Sequence, residues 1–98
     1  MEFGIPIPLR IQFKAMQELP VLIVTVIGPT FPGVDKKIVD QAIKIIDMSD
    51  KLGGLPVAIY DYKAHLENPS EIACWFQLMF QSHEDLEVAF ECIREELG

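Results

Sequence analysis

Basic residues are scarce in this chain of 98 residues: eight Lys and Arg stand against fifteen Asp and Glu, for a net charge of −7. Lys36 and Lys37 are the only adjacent basic pair. No patch therefore offsets the overall repulsion of a polyanion, which argues against nucleic acid as a partner. Long apolar runs are missing too. The longest, residues 21–27, falls far short of the about 20 residues that a membrane-spanning helix needs, so no membrane partner is expected. The chain opens on Met1 and Glu2 with no basic stretch leading into an apolar one. No secretory leader is expected, and the cytoplasm is the expected compartment.

Cysteine and histidine are equally sparse, two of each. Cys74 and Cys92 fall on the apolar parities of a strand and a helix, where a thiol behaves as a small hydrophobe, and a cytoplasmic setting disfavours a disulfide between them. His65 belongs to a polar turn and His83 to a helix start, with no third group at metal-ligand spacing. Nothing in the spacing brings a cysteine to His83 as a nucleophile pair. Gly28 and Gly33 frame a loop ahead of a helix, but Val34-Asp35 stands where a phosphate loop needs Lys followed by Ser or Thr, and an acid there repels phosphate. No catalytic residue, metal or cofactor is assigned.

What is present is a half-hydrophobic chain, long enough for one domain over residues 1–98 with a single two-layer core. Leu9, Ile11 and Phe13 alternate with Arg10, Gln12 and Lys14, the pattern of an edge strand with one wet face, and Pro6 and Pro8 suit such an edge. Residues 21–27 are apolar on both parities, as in a central strand. These two segments form either a hairpin or one long strand kinked near Pro20. Asp35 is the expected N-cap of a helix over residues 35–52, whose Ile38, Val39, Ala42, Ile43, Ile45, Ile46 and Leu52 recur at helical spacing before Gly53-Gly54 stops it. Strands over residues 55–62 and 71–80 follow, joined by a turn through Asn68-Pro69-Ser70. Ser82 caps a second helix over residues 82–97, with Leu86, Ala89, Phe90, Ile93 and Leu97 as its buried stripe. Six acids, Glu84, Asp85, Glu87, Glu91, Glu95 and Glu96, give that helix a solvated face. The order implies an α+β fold, an antiparallel-rich sheet of three or four strands with two helices on one face.

Two-residue alternation gives the last two strands two apolar faces. Ile72, Cys74, Phe76, Leu78 and Phe80 point one way; Glu71, Ala73, Trp75, Gln77 and Met79 point the other. Val57 and Ile59 share a parity, and Ala58, Tyr60 and Tyr62 share the opposite one. The helices are expected on Ile72, Phe76 and Val57, leaving Tyr60, Tyr62 and Trp75 to build an aromatic surface on the other side. Large aromatics bury about 150–250 Å² each, so such a surface meets a ligand, a second subunit or further chain. Glu71 shares the parity of Trp75, and a carboxylate beside aromatic rings suits an organic cation. Tyr60, Tyr62, Glu71 and Trp75 are the candidate ligand-binding residues.

Three stretches resemble the GyrI-like small-molecule-binding domains, the effector-binding portion of many bacterial transcription activators. They are residues 11–28, with Glu-Leu-Pro before an apolar strand; the helix ending at Gly53-Gly54; and Leu55-Pro-Val-Ala-Ile-Tyr-Asp-Tyr62 leading to Glu71-Ile-Ala-Cys-Trp75. The resemblance implies one strand-helix-strand-strand module. Members of that family usually carry two in tandem, with a ligand cleft between them lined by aromatics and often a buried Glu. Here a second helix is expected where the second module would begin, and no DNA-binding segment is expected within these residues. A homodimer would then rebuild the missing half. The first functional reading is a non-enzymatic module that binds a hydrophobic or cationic molecule on the aromatic face at a homodimer cleft. The alternatives are a small dimeric ferredoxin-like enzyme resembling cofactor-free monooxygenases, and a purely structural interaction protein.

Overall fold

A computed structural model describes residues 9–30, 32–65 and 68–97, and their side chains except those of residues 58–70. The elements are β1 (Arg10–Ala15), β2 (Val21–Pro29), α1 (Val34–Lys51), β3 (Leu55–His65), β4 (Asn68–Met79) and α2 (His83–Leu97). One sheet holds the strands in the order β1-β2-β4-β3, with every neighbouring pair antiparallel. Strands β2 and β3 therefore run parallel with β4 between them, a split βαβ unit closed by α1. The order and directions are those of a ferredoxin-like sheet whose last strand is supplied from the front of the chain by β1. The α+β expectation holds.

The strands sit where their side chains require. β1 exposes Arg10, Gln12 and Lys14 and half-buries Ile11 and Phe13, as an edge strand does, while β2 is buried along most of its length. The two form a hairpin: the Met16 amide donates to the Val21 carbonyl at 2.9 Å, and the Phe80 amide donates to that of Pro20 at 2.8 Å. Val24 lies opposite Phe76, Val26 opposite Cys74 and Leu22 opposite Leu78. This layer meets Val34, Ile38, Ala42 and Ile45 of α1 and Leu86, Ala89 and Ile93 of α2. α1 lies over β2, β4 and β3, and α2 over β2. Phe90 of α2 also meets Phe13 of β1 edge-on, with ring centroids 5.2 Å apart.

Several local expectations give way. The N-cap of α1 is Gly33 at φ 84°, with no side-chain cap, and Asp35 sits in the first turn, where its charge faces the helix dipole favourably. Val34, the first helical residue, packs tightly on the sheet: a Cβ on Gly28 would fall 2.9 Å from it. Residues 68–70 belong to β4 and are not a turn, because the β3–β4 ladder continues to His65 opposite Asn68. β2 ends with Pro29 opposite Glu71, so Pro69 lies where one side of β4 is already an edge and its missing N–H is tolerated. Val57 is not under the helices but 49% exposed. The register shifts between Pro56 and Ala58, and the extra residue in the bulge leaves the alternation. Cys74 is buried, whereas Cys92 is exposed; it lies off the buried α2 stripe, bordering a groove of about 280 Å³ with Met48, Leu52 and Ile93. At α2 the Ser82 cap forms, its Oγ accepting from the Asp85 amide at 3.1 Å.

Phe76 is fully buried at the centre of the core, so Phe76→Ala should lower stability by about 3–5 kcal/mol in urea denaturation. A cost under about 1 kcal/mol would place the core elsewhere. Ser49 of α1 is also fully buried, and among the described residues its Oγ has no hydrogen-bond partner. Ser49→Ala removes that unpaired hydroxyl and adds helix propensity, so the same assay should show unchanged or higher stability, by up to about 1 kcal/mol.

Candidate functional site

The helices cover one sheet face, and the ladders set what stands on the other. In its central row Gln12 of β1, Thr25 of β2 and Trp75 of β4 lie side by side. The next row toward the β1–β2 turn carries Lys14, Ile23 and Gln77, and the row on the opposite side carries Arg10, Ile27 and Ala73. Ile23, Thr25, Ala73, Trp75 and Gln77 are half-buried, while Gln12 and Lys14 are exposed. At the far end Met79 is 37% exposed and Leu55, its register partner on β3, 62%. The result is a strip of mixed apolar and amide character with Trp75 at its middle and charge along the β1 edge.

Backbone register sets Tyr60 directly opposite Trp75. Tyr62 falls in a second bulge, between the Tyr60–Trp75 and Lys63–Ala73 pairs. The even alternation that grouped Tyr60 with Tyr62 is therefore broken at the backbone level, since three residues of β3 now span two of β4. The side chains of both tyrosines lie outside the described residues, as does that of His65.

Glu71 shares the helix-free face with Trp75, and it is engaged by a residue that the alternation did not single out. Nη2 of Arg10 donates to both carboxylate oxygens of Glu71, at 2.9 and 3.0 Å. The pair reaches from β1 to β4 across β2, whose Ile27 is the register partner of Arg10. Glu71 retains 20% side-chain exposure and Arg10 56%. The signal for Arg10 was its place on the wet parity of β1, but only the strand order brings it to Glu71. Four residues of strand separate Glu71 from Trp75, about 13 Å at roughly 3.3 Å per residue. A cation held on an indole face sits within about 6 Å of the ring centre. One small cation therefore does not engage both groups, whereas an elongated molecule can.

The remaining chemistry-bearing groups are dispersed. Nε2 of His83 lies 3.3 Å from the Met16 carbonyl, which ties the start of α2 to the β1–β2 turn. Among the described residues no group of three or more His, Cys, Asp and Glu comes together to hold a metal ion, and no helix is long and apolar enough to cross a membrane. No protein-family model matches the chain, and neither the curated proteins nor the solved structures contain a match.

The Arg10–Glu71 contact is a partly exposed pair, for which couplings of about 0.5–1 kcal/mol are usual. A double-mutant cycle with Arg10→Gln and Glu71→Gln should return a coupling in that range and lose most of it in 1 M NaCl. A coupling indistinguishable from zero would mean that the pair contributes nothing to holding β1 on the sheet.

Proposed function

We propose that this chain is a non-catalytic, GyrI-like small-molecule-binding module that works as a homodimer, two helix-free faces closing over an elongated, largely apolar ligand. The observation that carries this reading is Trp75 half-buried at the centre of a sheet face without helices, between Thr25 and the backbone of Tyr60. A half-covered tryptophan on such a strip gains most from a flat apolar partner, because its remaining area is available for burial while its indole N–H can stay satisfied at the rim. The Arg10–Glu71 pair refines the ligand class. A cationic end must compete with Arg10 for Glu71, and an anionic end must compete with Glu71 for Arg10. A neutral aromatic body pays neither cost. A neutral aromatic ligand is therefore favoured over the cationic one.

The test titrates the protein with the neutral aromatic N-phenyl-1-naphthylamine and, separately, with tetraphenylphosphonium, reading Trp75 emission and the melting temperature. Trp75 is the only tryptophan, so the neutral probe should quench its emission and raise Tm, with the cation at least about tenfold weaker, a difference of about 1.4 kcal/mol. Unchanged emission and Tm with both probes would overturn the binding reading and leave the face as an association surface.

A further inference from the structure

We infer that α1 carries a second, independent self-association surface, on which two copies of the chain pack α1 against α1 in antiparallel fashion about a two-fold axis at Ile43. On α1 the residues Ile38, Ala42, Ile45 and Ser49 face the core and are buried. A second stripe runs beside them: Lys36, Val39, Ile43, Ile46 and Asp50. Their three-four-three-four spacing is that of the a and d positions of a coiled coil. Val39 is 38% exposed and Ile43 50%, Ile46 is half-buried, and Lys36 and Asp50 are exposed. On a helical wheel the stripe lies on the flank of α1 away from Met48 and Leu52, which border the groove beside α2. Neither helix of the chain covers it.

The charges at its ends select the occupant. Lys36 and Asp50 each stand seven residues from Ile43, on opposite sides, or about 10 Å along the helix axis. Antiparallel pairing about Ile43 sets Lys36 of each copy against Asp50 of the other, twice, with Val39 and Ile46 interleaved between. Parallel pairing would set Lys36 against Lys36 and Asp50 against Asp50. Among the described residues neither Lys36 nor Asp50 is held in an ion pair within the chain. The seam is thus apolar in the middle and complementary to itself only in antiparallel pairing, about a two-fold axis perpendicular to the helix, the arrangement that a second copy supplies. The helix is already ordered by its packing on the sheet, so this association spares the ordering cost that makes short isolated coiled coils unstable.

The surface is separate from the helix-free sheet face, and sedimentation at about 10–100 µM protein tells the two apart. With both surfaces in use the wild-type chain sediments as a tetramer or larger, and Ile43→Glu reduces it to a dimer. If wild type is a dimer that Ile43→Glu splits to monomers while Trp75→Ser leaves it whole, the α1 interface stands and the sheet-face dimer falls. The charge order gives the decisive arm. Lys36→Asp and Asp50→Lys singly place like charges at both ends and should weaken association about tenfold; the double swap should restore it. Circular dichroism and Tm close to wild type confirm that these exposed substitutions leave the fold intact. A wild-type monomer, or association unchanged in Ile43→Glu and in the single swaps, would overturn the inference.

Discussion

The β2–β4 ladder is the constraint on which the rest of the molecule depends. It sets Val24 against Phe76, Val26 against Cys74 and Leu22 against Leu78, and these six side chains form the floor on which both helices stand. A slip of one residue in that pairing would turn Phe76 to solvent and bring Trp75, Gln77 and Ala73 under the helices. Burying an amide and an indole N–H there without partners costs several kcal/mol, on top of the exposed phenyl ring. The ladder therefore fixes not only the core but also which residues are left for the other face.

Much of this was legible in the residues. The doubly apolar run of β2 located a central strand, the wet parity of β1 located an edge, the alternation of β4 located its two faces, and the 3.6-residue stripes located both helices with boundaries close to those observed. What escaped is what alternation does not encode. Val57 and Tyr62 fell to bulges in β3, where one extra backbone residue resets the parity of everything beyond it and no residue type announces the event. Asp35 had the chemistry of a cap, but the helix starts two residues earlier, after Gly33, with Val34 packed closely on the sheet at Gly28. Asn68-Pro69-Ser70 had turn composition, yet backbone pairing with β3 carried the ladder past it. Tertiary register overrode a local preference in each case.

The same distinction applies to the candidate site. Glu71 and Trp75 were placed on one face by parity alone, and that placement holds because β4 is regular between them. Arg10 was not connected to Glu71, because two residues 61 positions apart meet only through the order of three strands. Their pairing changes the chemistry expected of the face. A carboxylate already accepting from a guanidinium is a poorer anchor for a cation than an unengaged one, since any newcomer must exceed the contact that it displaces.

Burial along β2 locates the opening on the helix-free face more narrowly than composition does. Val21 and Ile27 have the parity of that face, yet are only 2% and 1% exposed, whereas Ile23 and Thr25 between them are half-buried. Along β2 itself the strip is closed at both ends and open in its middle. At the Ile27 end the side chains of Arg10 and Glu71 meet across β2, and the aliphatic part of a long charged side chain can cover apolar surface while its head stays hydrated. The ion pair thus links β1 to β4 at that end of the strip. Trp75, opposite Thr25, stands one row further along. The half-buried tryptophan, together with the more exposed Met79 and Leu55 of the row that ends the strip, therefore carries the apolar area that a partner can cover on this face, away from the charge pair at the Ile27 end.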